Sequence, residues 1–89
     1  MSQDLSIVAR ARAVSSKADF VEFLRALKAD LVANPGDWEN PTLGGYLAGM
    51  AEFARDIEGY YANRRESVDL EAPSWRVMAE ILVAARVYQ

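Results

Sequence analysis

Among its 89 residues the chain has no cysteine and no histidine. Without cysteine there is no disulfide framework, no thiol nucleophile and no thiolate-held metal. Without histidine the commonest general base and the commonest transition-metal ligand are gone as well. A zinc site or a Ser-His-Asp arrangement cannot be built from these residues, so no catalytic, cofactor-binding or metal-binding residue is assigned. Long apolar runs are missing too. The longest nearly uncharged stretch, Ile81 to Ala85, is far too short to cross a bilayer. Arg10 and Arg12 interrupt the first apolar residues, so no secretory signal is expected, and we read the protein as cytoplasmic with no membrane association.

What is present is the composition of a globular domain, 52% apolar and 26% charged. A chain of this length forms one domain, residues 1–89, with a modest core that needs no staple. The net charge of −3 is unevenly spread. Residues 1–28 are slightly basic, at +2, whereas residues 29–63 carry only Arg55 against six acids, at −5; the remainder balances. An acidic middle argues against nucleic-acid binding, which depends on neutralising phosphates. It could attract a basic partner, although a solvated acidic surface explains it as simply.

The pattern is all-α, a compact bundle of three well-marked helices preceded by a less definite N-terminal one. That first segment, Gln3 to Ala13, has Leu5, Val8, Ala9 and Ala13 on one stripe. Its "ARARAV" also alternates as a strand would, and only the helix propensity of alanine and arginine favours the helix. The second helix opens at Ser16, a cap with Asp19 three residues on, and Phe20, Phe23, Leu24, Leu27 and Leu31 line one face. "ANPG" ends it, because Asn34 precedes a proline and Gly36 supplies a turn.

The third helix begins near "DWENPTLGG", with Asn40–Pro41 as cap and first residue, or Thr42 as the competing cap. Leu43, Leu47, Met50, Ala54, Ile57 and Tyr61 form its stripe, which Tyr46, Phe53 and Tyr60 widen. So broad a face predicts the central element of the domain, packed on two sides. Gly45 and Gly49 predict a close approach by another helix. A polar link of about ten residues then leads to Ser74, the cap of a last helix whose buried stripe is Trp75, Met78, Ile81, Leu82, Ala85 and Tyr88.

Several constellations invite chemistry and fall short of it. The glycine pair Gly44–Gly45 has no preceding strand, no P-loop lysine, and acids where a phosphate needs cations. Glu52 and Asp56, one turn apart, read more simply as the solvent-facing edge of a helix than as a cation or acid/base pair. "DIEGYYANRR", Asp56 to Arg65, is richer. Neighbouring tyrosines diverge by about 100°, so one of Tyr60 and Tyr61 must carry its hydroxyl to the rim or to a buried partner.

The blocks DFVEFLRAL (Asp19–Leu27), WENPTLGGYL (Trp38–Leu47), DIEGYYAN (Asp56–Asn63) and PSWRVMAEILVAARVY (Pro73–Tyr88) resemble a small, uncharacterised family of bacterial proteins of about this length. The resemblance covers residues 16–89 and leaves 1–15 as an N-terminal helix or arm. It implies a stand-alone bacterial cytoplasmic protein and transfers no activity.

These features together lead us to expect a non-enzymatic protein-interaction domain, an inhibitor or immunity-type partner of another bacterial protein, with a partner that could be basic. The expected interaction face joins Trp38, Glu39 and Asn40 to Asp56, Glu58, Tyr60 and Asn63, because aromatic and charged side chains anchor interfaces. A small-ligand module, with a polar-rimmed pocket beneath Tyr60 or Tyr61, is the alternative; a homodimer is another.

Overall fold

Four α-helices and one short 3-10 turn make up residues 6–88, which the computed structural model describes. They are α1 (Ile7–Arg12), α2 (Lys17–Ala33), the turn Pro35–Asp37, α3 (Leu43–Asn63) and α4 (Trp75–Ala84). No strand occurs among the described residues, and the all-α expectation holds.

Each helix starts on a hydroxyl. Ser6, Ser16, Thr42 and Ser74 each accept the backbone N–H three residues on, at 3.0–3.1 Å. Such caps satisfy one of the donors a helix start leaves unpaired, typically worth about 1 kcal/mol each. At α2 the reciprocal half of the cap is displaced. The Asp19 carboxylate accepts the N–H and hydroxyl of Ser15, at 3.1 and 2.9 Å, rather than the N–H of Ser16. The Ser15 N–H is the main reason the Asp19 carboxyl lies below its ordinary value.

Four sequence expectations need correction. The first concerns α1, which is a helix, but its inward side is Ile7, Val8 and Ala11 with Val14 just beyond, while Ala13 is exposed. The expected residues 3–5 lie outside the described residues. Secondly, the cap of α3 is Thr42, not Asn40. The Asn40 amide is instead drawn away to donate to the carbonyls of Ala85 and Tyr88, at 3.0 and 2.8 Å. Thirdly, α3 is not the central element. α4 is, since α1, α2 and α3 all pack on it. The fourth is the buried stripe of α4, where Val77, Ala79, Glu80 and Val83 are inside and Trp75 and Met78 remain exposed.

The physical reason for the last two is shared. α4 is apolar nearly all round, so it can serve two cores at once. Ala79 and Val83 join Ala11, Val14, Phe23, Leu27 and Trp38 on one side. Val77, flanked by Ile81 and Ala84, joins Phe53, Ile57 and Tyr61 on the other. Small residues on the first side let α1 come close. The bulky Trp75–Met78 stripe is left over, and so is the start of α3, where Leu43 is 73% and Leu47 51% exposed.

The link after α3 is ordered by contacts. Arg65, at φ 56, takes the left-handed conformation, and Glu66 N–H reaches back to the Tyr61 carbonyl at 2.9 Å. This closes α3 in the Schellman manner, with arginine where glycine is usual. Val68 and Leu70 then pack on the second core. Glu66 accepts from both Arg64 and Arg76, each at 3.0 Å, tying the link to α4.

Candidate functional site

Of the expected interaction face, Asn40 and Asp56 share a partner, because Tyr88 accepts from the Asn40 amide through its carbonyl and donates to Asp56 through its hydroxyl. The Asn40 amide sits beside Gly49, and Asn63, at the end of α3, lies fourteen residues further along the helix, about 21 Å. Trp38 is buried, 8% exposed, at the seam between α2 and α3. Its indole N–H donates to Asp30 at 2.8 Å, its ring stacks on Tyr46 at 5.6 Å, and the Arg86 guanidinium lies 6.0 Å over it. Asn40 is half-buried and occupied by the Ala85 and Tyr88 carbonyls, and its own N–H donates to Arg86 O at 2.8 Å. Glu39, Glu58 and Asn63 are exposed.

Asp56 receives the Tyr88 hydroxyl at 2.6 Å and pairs with Arg55. The Tyr88 bond, ahead of Arg55, holds the Asp56 carboxyl below its usual range. Tyr60 packs edge-on against Phe53 and Tyr61, with Arg64 5.5 Å from its ring centre. Of the two tyrosines, Tyr61 is the one that sends its hydroxyl to a buried partner. It is 2% exposed and donates to Glu80, itself 2% exposed on α4. Burial first, and this bond second, push the Tyr61 hydroxyl well above its ordinary value. The other Glu80 oxygen has no hydrogen-bond partner among the described residues.

The acids of residues 29–63 do not form one patch. Asp30 is turned inward to Trp38 and Arg86, and Glu52 and Asp56 share Arg55.

A different place gathers unspent surface. α2 and α3 both pack on α4 but not on each other. A cleft of about 370 Å³ remains between them. Leu24, Leu27, Lys28 and Leu31 of α2 form one wall, and Pro41, Thr42, Leu43 and Tyr46 the other. Leu82 of α4 and the buried edge of Trp38 make the floor. The lining is apolar except for Thr42, Lys28 and the polar tips of its aromatics. Helical spacing continues it beyond those residues. Leu47 follows Leu43 by one turn, and Met78 and Trp75 precede Leu82 along α4. Trp75 meets Phe20 of α2 with ring centres 5.3 Å apart, which joins that end of the floor to the α2 wall.

The cleft is held open by a polar pin. The Tyr46 hydroxyl donates to Leu82 O at 2.7 Å, and burial pushes its pKa up to about 12. Tyr46 therefore stays a donor at any ordinary pH and fixes the start of α3 to the floor. Sequence periodicity did name Leu24, Leu43, Leu47, Trp75 and Met78, but as buried stripe. The missed signal was excess: α2, α3 and α4 together carry more apolar face than three helices can cover mutually.

The family model of a family of unknown function (DUF7660) matches residues 16–89. The chain belongs to that family. No curated protein and no solved structure matches the chain. The DUF7660 match includes both walls and the floor of the cleft, and it spans the residues on which the sequence resemblance rests. α1 stands before it, yet Ala11 and Val14 lie in the same core as Phe23 and Val83. No described helix is long and apolar enough to cross a membrane, and no metal-holding cluster of acids occurs among the described residues.

Proposed function

We propose that this chain is a non-enzymatic interaction domain that holds a segment of another protein in the cleft between α2 and α3, as an inhibitor or immunity-type partner does. The cleft itself carries the reading. Single exposed leucines are ordinary on any surface, but a contiguous apolar surface on three elements is where a partner docks. The lack of histidine and cysteine supports binding over catalysis, and a cytoplasmic setting fits the cysteine-free composition.

The test is affinity purification from the source cell with the wild type and with Leu43→Ser/Leu47→Gln. Both positions are exposed, so the fold survives, which circular dichroism verifies. The expected result is a stoichiometric protein partner that the double variant loses. No such partner, or one that the variant keeps undiminished, overturns the proposal.

One observation favours a second reading, a small-ligand module. The cleft's volume of about 370 Å³ falls at the low end for ligand pockets, roughly 300–1,000 Å³. An apolar molecule that binds in place of the partner and shifts the NMR signals of Leu24, Leu31 and Leu43 would establish it.

A further inference from the structure

We infer that the occupant of the cleft is an amphipathic helix with acidic residues along the edge that meets α2. The inference rests on the cleft reading above and adds the chemistry of the partner.

Three observations bear on the occupant. The first is the charge of the walls. Along the cleft-facing edge of α2, Lys17, Val21, Leu24, Lys28 and Leu31 follow one another at three- and four-residue steps. Lys28 lines the cleft, and neither lysine has an ion-pair partner among the described residues. The acids of α2 are elsewhere: Glu22 pairs with Arg25 at 2.8 Å, and Asp30 is turned to Trp38 and Arg86. The α3 wall, Pro41, Thr42, Leu43 and Tyr46, carries no charge, and neither do Leu47, Met50 and Ala54 along the same side of the helix. One wall is thus neutral, while the α2 edge carries Lys28 in the cleft and Lys17 three helical turns before it, about 16 Å away.

The second is the chain's net charge of −3, which would disfavour an acidic partner at long range. Screening confines that field to about 8 Å at physiological salt, so at the cleft the two lysines decide. The third is the backbone. Both walls are helix faces, and no strand edge is present among the described residues to pair with an extended peptide. An extended occupant would lay unpaired N–H and C=O groups on apolar surface, whereas a helix satisfies its own. From Lys17 to Leu31 the edge runs about 21 Å, enough for roughly four turns of helix. The occupant therefore places leucine-like residues at i, i+3, i+4 and i+7, with Asp or Glu near both ends of its α2-facing side.

The experiment is a display library of helices of about five turns, with leucine fixed at those spacings and every other position randomised, selected on the full chain. Enrichment of Asp or Glu at two positions three turns apart is expected. For a selected peptide, Glu→Gln at those positions should weaken binding at least about tenfold, the size expected when two charge-assisted hydrogen bonds are removed together. Lys17→Gln/Lys28→Gln should cost as much for the acidic peptide and nothing for its Gln version. Enrichment of neutral or basic helices, or indifference to the lysine variant, overturns the inference but leaves the cleft reading standing if Leu43→Ser/Leu47→Gln still abolishes binding. Light scattering that shows a dimer, made monomeric by the leucine variant, names a second copy as the occupant and overturns it too. A monomer that enriches no helix at all overturns the inference, and the affinity purification above still decides the cleft reading.

Discussion

Gly49 and Gly59 lie on the same helix, and alanine should have opposite effects at the two. A Cβ at Gly49 would stand 2.7 Å from Ala85 O, 2.7 Å from Asn40 Nδ2 and 2.8 Å from Tyr88 O. These are the three members of the clamp that fixes the turn after α4 to the start of α3. Two are backbone carbonyls, so relief requires movement of the chain. Alanine gains about 1 kcal/mol of helix propensity over glycine. Against this, overpacking costs about 1–3 kcal/mol, and the two Asn40 bonds that must lengthen are worth about 0.5–1.5 kcal/mol each. The net is a loss of about 1–5 kcal/mol, centred near 3. At Gly59 a Cβ meets nothing within 4 Å, so Gly59→Ala should gain about 0.5–1 kcal/mol. Urea unfolding of the three proteins reads the difference directly, and in heat it amounts to roughly 4–8 °C for each kcal/mol. If Gly49→Ala is as stable as Gly59→Ala, the close approach does not exist and the clamp is wrong. Asn40→Asp offers a second check, since it sets an acceptor against two carbonyls and should also destabilise.

Removing the Tyr61 hydroxyl takes from the buried Glu80 its only hydrogen bond among the described residues and leaves it the Arg76 guanidinium at 3.9 Å, so Tyr61→Phe should cost about 1–3 kcal/mol. Adding Glu80→Met should recover part of that loss, and a urea double-mutant cycle with no coupling would refute the pairing. Glu66 lies below its unfolded value of 4.5 chiefly through Arg64 and then Arg76, and Asp56 below 3.8 through Tyr88 and then Arg55. Because the folded values are lowered, these groups contribute stability that is whole above the unfolded values and lost as pH falls through the folded ones. Stability should hold steady above about pH 5 and drop below it, with a smaller drop in Glu66→Gln; an unchanged drop argues against the Arg64–Glu66–Arg76 link. Finally, Arg65 holds a left-handed conformation, so Arg65→Gly should slow unfolding and raise stability by about 0.5–1 kcal/mol. A decrease on denaturant titration would show that its side chain matters more than its backbone.

Local signals were readable wherever the chain decides its structure within a turn or two. Ser16, Ser74 and the pair of candidates at Asn40 and Thr42 mark helix starts, because a side-chain oxygen three residues ahead of an unpaired N–H needs nothing from elsewhere. Pro35 ends α2 for the same local reason. Gly36 does lie in a turn, the 3-10 turn Pro35–Asp37, which needs no positive φ. The candidate site was less legible. Trp38, Asn40 and Tyr60 look like interface residues by type, yet Trp38 and Asn40 are used internally, and Tyr60 lies eleven residues, about 16 Å, along α3 from Gly49, where the Asn40 amide sits. The cleft was hidden because an exposed Leu43 and a buried Leu27 have the same spacing signature.

The sequence by itself determined an all-α domain of this family, the starts of α2 and α4, and the absence of histidine and cysteine chemistry. Tertiary structure alone decided that α4 is the centre, that Asn40 clamps the turn after it, and that α2 and α3 stand apart. The reason is that periodicity specifies which side of a helix is apolar but not which neighbour covers it. Coverage depends on where the link from Arg64 to Ser74 returns the chain, and it returns α4 between α2 and α3, wide enough to keep their remaining apolar faces from meeting.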